Sequence, residues 1–525
     1  MIKVNQVKVL VENNNEINIL KALLKKTKLN KNDIKDYKIY KQSIDARDKN
    51  SIYYVYEIII DTDKKVKFNN DIKEYYEEEY NPIIKGNKVL LNRPIIVGSG
   101  PCGLFCGLLL TKLGYKPIII EKGKKVEDRI ADVETFFKTG KLNINSNIQF
   151  GEGGAGTYSD GKLNTGIKDF RIREVLNTFV KFGAKPDILY SYKPHIGTDI
   201  LVDVIKNIRE YIENNGGEYW FNTELIDLNI ENNKIESIKI KKENNEQIIK
   251  TDVLVLAIGH SSRDTFYMLN NKLNLESKPF SVGLRVMHDQ NKINESQYGI
   301  KYKDLLGSSP YKLTYHSKSG RGVYSFCMCP GGYVVNASSE EGMTAVNGMS
   351  YNKRDSNYAN SAICVTVNNK DYGDNLFSGI EFQRELERKA YILGNSDIPV
   401  MYLKDYHNNR LENTKINDNK PFTIKGKYQF SNLNYLFNDD INNSIKEAMI
   451  EFSKKLKCFN DDDTLLLGVE TRTSSPIRIL RGDNLESNIE NIYPSGEGAG
   501  YAGGIVSAAV DGLKVAEQII KKWRV

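Results

Sequence analysis

Cysteine is scarce in this chain. Six residues in 525, Cys102, Cys106, Cys327, Cys329, Cys364 and Cys458, form neither a disulfide framework nor a paired C-x-x-C motif. That argues against a disulfide-stapled secreted scaffold and a zinc ribbon, supplies no metal ligand set, and makes a reducing, cytoplasmic location the expectation. Long apolar runs are missing as well: Lys112 and Lys116 interrupt the most apolar region, well short of the roughly 20 residues a membrane-spanning helix needs. Residues 1–9 alternate like a strand and lack the continuous apolar stretch of a signal peptide. Charge of one sign is not in large excess, since 74 basic against 67 acidic residues leave a net +7. So mild a balance permits an anionic ligand without requiring nucleic acid.

What is present is an ordinary soluble composition, 40% apolar and 27% charged, on a chain long enough for two or three domains. Residues 1–85 read as a small α/β unit: a strand over 3–11, a helix over 17–29, strands over 37–44 and 53–60, and an acidic helix over 72–80. The Lys-rich residues 21–41 read as a solvated face, with acids interspersed nearby. Residues 86–276 suit the first part of a nucleotide-binding domain. They hold an amphipathic helix over 200–212, a short strand over 218–221, a β-meander over 225–250 with polar turns at 231–233 and 243–245, and a strand over 253–258. Residues 277–464 change texture, rich in Tyr, Ser, Gly and short strands, and read as an inserted β-rich substrate domain. Residues 465–525 return to strand, glycine loop and apolar helix, closing the nucleotide-binding domain.

The strongest motif is Gly98-Ser99-Gly100-Pro101-Cys102-Gly103, which follows the apolar strand Pro94-Ile95-Ile96-Val97. In this G-x-G-x-x-G spacing the first glycine allows a tight turn, the second admits a pyrophosphate to the backbone, and the third lets helix and strand pack closely. Pro101 suits a first helical turn, where its missing N–H is no loss. A second strand, residues 117–120, delivers Glu121 about 20 residues after the first glycine, where an acid can accept ribose hydroxyls. Lys122 and Arg129 follow, and Arg129 reads equally as a cation near the pyrophosphate or as one half of an ion pair.

Two further glycine-rich segments complete a cofactor site of the flavin kind. In residues 150–163, Gly154, Ala155, Gly156 and Thr157 let the backbone approach a ligand, while Ser159, Asp160 and Lys162 add hydrogen-bonding and charged groups. This segment lacks the strand, helix and acid that a second nucleotide fingerprint requires, so no separate NAD-binding domain is visible. Near the end, Gly496 and Glu497 follow a short strand, and Glu497 is placed to accept from a polyol such as a ribityl chain. Gly503, Gly504 and Ile505 open a helix whose positive end favours negative charge on a reduced flavin ring.

The fingerprint with Glu121, the strand end at Ala257 and Gly259, and the loop at Gly496 and Glu497 resemble the three segments that hold FAD in two-domain oxidoreductases of the glutathione-reductase type. More narrowly, residues 153–162, 259–264, 323–332, 469–476 and the terminal loop resemble a bacterial family of FAD-dependent proteins described as predicted NAD(FAD)-utilising dehydrogenases. The resemblance covers nearly the whole chain. It implies an α/β fold with a Rossmann-type FAD-binding domain assembled from distant segments, FAD as cofactor, and a redox role. It names no substrate. Glu497 departs from the wider group, in which Asp is common; the extra methylene still permits the ribityl hydrogen bond.

Catalytic candidates lie between the glycine segments. Cys327 and Cys329, at i and i+2, read as a redox dithiol or as small packing residues before the turn 330–332, and a disulfide there requires a local bend. Cys102 and Cys106 read as spacers on the first helix. Arg285 and Arg472 offer an anionic substrate a guanidinium, or an acid an ion pair. His195 and His260 are placed to approach the flavin or to serve as neutral structural residues. The leading expectation is an FAD-dependent oxidoreductase passing hydride between a small-molecule substrate and flavin N5, with NADH or NADPH as transient donor. The alternatives are a flavin-dependent enzyme acting on tRNA or other nucleic acid, which no RNA-binding motif supports, and a non-catalytic FAD-binding scaffold.

Overall fold

The computed structural model describes the chain except residues 78, 79, 81, 82 and 417–419. The N-terminal unit is a four-stranded antiparallel sheet in the order Asp36–Asp45, Tyr53–Asp61, Ile2–Leu10, Ile72–Glu74. The helix Glu16–Thr27 lies on one face and buries Ile19 and Leu23 against Val4, Val7, Tyr56 and Ile58. Asn15 caps it by accepting from the Asn18 N–H at 3.0 Å. The acidic helix expected over 72–80 is instead a strand at Ile72–Glu74, paired to Ile2–Val4. Ile72 alone is buried there while Lys73 and Glu74 face solvent, so edge pairing replaces a helix that had no apolar stripe. Residues 78 and 79 of that expectation lie outside the described residues.

At the centre is a five-stranded parallel sheet, in the order Ile492–Pro494, Leu254–Leu256, Ile95–Val97, Ile118–Ile120, Glu218–Trp220. The apolar strands at 95–97, 118–120 and 254–256 are buried on both faces, as near-continuous Ile, Val and Leu runs require. Ile96, Ile119, Val255 and Tyr493 pack toward helices Pro101–Lys112, Thr198–Asn214 and Ile505–Lys522. Ile95, Val97, Ile120 and Leu256 pack toward an antiparallel meander, Thr223–Glu231, Lys234–Lys242 and Asn245–Lys250. The meander turns at Asn232, Asn233 and Glu243, all with positive φ, as the polar turn residues had implied.

The third body is a seven-stranded sheet in the order Thr314–His316, Gly322–Cys329, Tyr358–Val367, Phe280–Asp289, Leu465–Glu470, Ile398–Tyr402, Tyr428–Phe430. Leu465–Glu470, expected to begin the returning nucleotide-binding segment, pairs with Phe280–Asp289 and Ile398–Tyr402. The inserted body thus runs past residue 464. An apolar Leu-Leu-Leu run suits either buried sheet, and its partners alone decide. The N-terminal unit bridges the other two bodies: Gln42 exchanges backbone hydrogen bonds with Tyr190 and Tyr192, while Tyr302 packs with Val11 and Ile52. Among the described residues no helix is long and apolar enough to cross a membrane.

Candidate functional site

Three of the sequence motifs converge at the C-terminal edge of the parallel sheet. Gly98 turns out of its strand at φ 100°, and a Cβ there would lie 2.2 Å from the Ala257 carbonyl oxygen at the end of the neighbouring strand. Helix Pro101–Lys112 then starts with no side-chain cap, and so does helix Ile505–Lys522 after Gly504. The two helices touch where Gly512 meets the Cys102 carbonyl, so close that a Cβ would sit 2.1 Å from it. The first residues of both helices, Pro101 and Ile505, lie against Gly156, so the unsatisfied N–H groups of the two helices open near one another, an arrangement suited to anionic cofactor groups. Cys102 is buried with Ala257 and Ala508, which makes it a spacer between the helix and the loops; burial pushes its thiol far above the ordinary range.

Glu121 sits at the end of its strand as expected, but its carboxylate is already engaged by protein. One oxygen accepts from Ser99 N–H at 3.0 Å and Ser99 Oγ at 2.7 Å; the other accepts from the N–H groups of Gly123 and Gly151 at 2.9 and 3.0 Å. A carboxylate has about four acceptor positions, so Glu121 ties the fingerprint to the loop at 151. Arg129 is fully buried and directs its guanidinium to five backbone carbonyls, those of Asn147, Ile148, Gly151, Glu152 and Gly154. Neither sequence reading of Arg129 describes this role: its guanidinium goes to carbonyls rather than to an acid, and it shapes the loop from within. Lys122 pairs with Glu224 at 2.8 Å.

That loop continues into the short helix Ala155–Tyr158, where Gly154 abuts Gly100 and Gly156 abuts Ile505. Ser159 Oγ donates back to the Gly156 carbonyl at 2.7 Å. Asp160 is buried beneath Lys162, 3.1 Å away, and is bonded by Arg354 and Ser350. Burial alone would raise the Asp160 carboxyl, yet Lys162 and Arg354 hold it well below the usual carboxylate range. Lys162 also donates to the Met328 carbonyl on the seven-stranded sheet. The loop thus spans from the fingerprint to the inserted body. Arg354 and Ser350 escaped the sequence reading because no local pattern marks them; only the fold brings them to Asp160.

Across from this loop lies a cradle. An added Cβ at Gly259, Gly503 or Gly504 would meet nothing within 4 Å, so these backbones face open space, Gly503 and Gly504 at an uncapped helix start and Gly259 against Gly498. Glu497 lies beside it, with one oxygen 3.9 Å from His260 Nε2. Burial pushes the Glu497 carboxyl up to about 7 against the pull of Lys278. Burial first, then Arg472 and Arg263, push the His260 imidazole down to about 3, so it is neutral at physiological pH. A planar, partly anionic ring fits such a cradle: small residues, the N–H groups of the first turn of helix Ile505–Lys522, and a neighbouring acid that is readily protonated.

The catalytic candidates fall into three places. Arg472 is locked into a buried network with Glu387, Ser261 and Ser339, the ion-pair reading of that residue. Arg285 is fully buried, 2.9 Å from Glu470 and 2.6 Å from the Cys327 carbonyl. Cys329 is buried while Cys327 is exposed; a bulge between Phe326 and Cys329 separates two residues that regular strand spacing would place on one face. Burial raises the Cys329 thiol, and the groups packed around the Cys327 sulfur raise that thiol as well although the residue reaches the surface, despite Lys162 and Arg285 nearby. His195 Nε2 lies 2.9 Å from the Asn352 carbonyl, and burial followed by Arg354 lowers its pKa. A separate cavity of about 290 Å³ is lined by Lys122, Phe150, Ser261, Arg263, Asp264 and Glu340, beside the strand end that carries Glu121.

Comparison with known proteins follows this division of the chain. The family described as FAD-dependent protein, C-terminal domain-like, matches residues 279–473, the span of the inserted body including strand Leu465–Glu470. A domain of unknown function, DUF8436, matches residues 1–61. With the glycine cradle, the first match defines an FAD-dependent protein of mixed α/β architecture, and FAD is its cofactor. The chain belongs to the same family as an uncharacterized protein of Clostridium beijerinckii, to which it is 45% identical over 99% of both chains. Among solved structures, a mutant of halogenase PltM in complex with FAD is 10% identical, covering 82% of this chain and 69% of that one at a TM-score of 0.39. Glycine oxidase from Bacillus cereus is 12% identical, covering 82% and 98% at 0.32. Similarities at these scores carry no argument about this chain.

Proposed function

We propose that the protein is an FAD-dependent oxidoreductase of the glutathione-reductase-type architecture, acting on a small-molecule substrate that enters between the glycine cradle and the inserted sheet. The observation that carries this reading is the open space over Gly259, Gly503 and Gly504, next to two uncapped helix starts. FAD, when bound, supplies the hydride-exchanging centre at its N5. In this reading residues 98–103 face the pyrophosphate, Glu497 accepts from the ribityl chain, and the backbone at 503–505 faces the flavin ring.

The chain's own residues supply position and field. N–H groups at the start of helix Ile505–Lys522 favour negative charge in the cradle. Lys162, held by Asp160 and the Met328 carbonyl, sets a cation at the junction of the two bodies, suited to orienting an anionic substrate group. His260, neutral and bonded to Ser261 at 3.0 Å, lies beside Glu497 without adding a charge. A nicotinamide cofactor in this scheme visits as a transient donor, since residues 150–163 form no second fingerprint domain.

The test is anaerobic titration of purified protein with dithionite, NADH and NADPH, followed by absorbance. The reading expects a yellow protein bleached reversibly by dithionite and by one nicotinamide. A colourless protein that cannot be reconstituted with FAD overturns it.

A further inference from the structure

One ion pair holds the terminal glycine loop at two points. Asp511, on the second turn of helix Ile505–Lys522, accepts from the Gly496 N–H at 2.7 Å, where the loop leaves strand Ile492–Pro494. Its two oxygens also take both terminal nitrogens of Arg481, at 2.7 and 2.9 Å. Arg481 donates once more to the Pro494 carbonyl at 2.8 Å, and its guanidinium lies over the ring of Tyr501, 3.8 Å from the centroid. The side chains of Arg481 and Asp511 are only 9% and 8% exposed, so the pair is a built contact rather than a surface encounter.

Tyr501 is the one large side chain between Gly498 and Gly504, where every other residue is glycine or alanine. Such a run has wide backbone freedom and must be held from outside. Its first part is held by backbone acceptors: Ile479 and Ser475 donate to the Ala499 and Gly498 carbonyls, each at 3.2 Å, and the Tyr501 N–H closes on the Gly496 carbonyl at 3.0 Å. Beyond Tyr501 the chain passes through Ala502 to Gly503 and Gly504, whose backbones face open space. The stacked ring thus sets where the cradle begins.

We infer that Arg481 is a positioning residue for the flavin, acting through Tyr501. The inference rests on the reading that the flavin ring lies over residues 503–505. A guanidinium offers a planar face to the tyrosine ring and a two-nitrogen edge to Asp511 at the same time, which an ammonium does not. The face orients Tyr501 and the edge locks the orientation to the helix. The loop therefore stands ready in the conformation that receives the cofactor. Without the stack, Ala502 to Gly504 are freer in the apoprotein, and FAD must order them as it binds. The ring of Tyr501 serves this role; its hydroxyl takes no part.

Full-length apoprotein is titrated with FAD, followed by flavin fluorescence and by visible circular dichroism of the bound flavin. Arg481→Lys, which keeps a charge for Asp511, and Tyr501→Leu are each expected to weaken FAD about fivefold or more and to alter the dichroism. Tyr501→Phe, which keeps the ring, is expected to bind within about twofold of wild type and to restore its dichroism. The double variant Arg481→Lys with Tyr501→Leu is expected to bind within about twofold of the weaker single variant, because both changes remove one contact. Losses that multiply in the double variant, or a Tyr501→Leu protein with wild-type affinity and dichroism, overturn the inference alone. The comparison of leucine with phenylalanine at position 501 decides even where Arg481→Lys does not fold. Wild-type apoprotein that takes up no FAD overturns the cofactor reading and this inference with it.

Discussion

Arg263 and Arg472 meet on one carboxylate: Nη2 of the first and Nε of the second lie 2.9 and 2.8 Å from the same oxygen of Glu387, which is wholly shielded from solvent. The three residues come from three parts of the chain. Arg263 opens the helix after strand Leu254–Leu256, Glu387 belongs to helix Ser378–Leu393, and Arg472 follows strand Leu465–Glu470. Burial alone would raise the Glu387 carboxyl; the two guanidinium groups hold it far below its usual range. The triad is a joint between the parallel sheet and the inserted body.

Replacing that carboxylate leaves two buried cations facing each other. Glu387→Gln is expected to destabilise the protein by about 3–5 kcal/mol, the usual cost of breaking a buried pair. Glu385, which pairs with Lys389 at 2.7 Å on the same helix with its side chain 58% exposed, provides the control: Glu385→Gln is expected to cost less than about 1 kcal/mol. Denaturant midpoints of the two variants check this, and equal losses would remove the triad as the joint.

Arg129 shapes the loop at 147–154 through five carbonyl contacts that depend on a planar fork. A lysine has the charge without the fork. Arg129→Lys is therefore expected to behave nearly as badly as Arg129→Met, both losing more than about 2 kcal/mol and weakening FAD binding. Rescue by lysine in a fluorescence titration of FAD would show that charge alone suffices there.

Much of this fold was legible in the sequence because its elements carry local signatures. The run Ile95-Ile96-Val97 with Gly98 behind it, the polar turns at 231–233 and 243–245, and the apolar helix after Gly504 each state their own geometry. What was not legible depended on partners. Leu465–Glu470 carries no mark of which sheet it joins. Glu121 reads as a cofactor ligand and Arg129 as a cofactor ligand or half of an ion pair, and no local signal shows that Ser99, Gly123 and Gly151 surround the one and five carbonyls the other. Arg354 reaches Asp160 across 194 positions of sequence, a distance over which a single sequence holds no signal. The bulge at Cys327 was equally hidden, since alternation alone implied one face for both thiols.

The glycine cradle separates cofactor binding from folding. Gly504 has extended backbone, φ 177°, and open space before it, so a side chain there strains nothing and fills the place a ring would take. Gly504→Val is expected to leave the melting temperature of the apoprotein unchanged while weakening FAD by at least about tenfold, or 1.4 kcal/mol. Unchanged FAD affinity in an isothermal titration would move the ring elsewhere.

Glu497 gives the site a pH dependence whose sign can be worked out. Its carboxyl, raised by burial to about 7 from an ordinary 4.5, is bound more tightly to its proton in the folded state than in the unfolded one. The stabilisation from that proton is complete below about pH 4.5 and is lost as pH rises through about 7. Glu497→Gln carries no proton to lose. The stability of the variant relative to wild type is therefore expected to rise between about pH 5 and 8, by about 1–2 kcal/mol once screening of its partly exposed side chain is allowed for. Taking the difference between the two apoproteins at each pH cancels the other titrating groups. Parallel stability curves would mean that Glu497 keeps its charge throughout, and that the acid beside the cradle is not the proton-holding group described above.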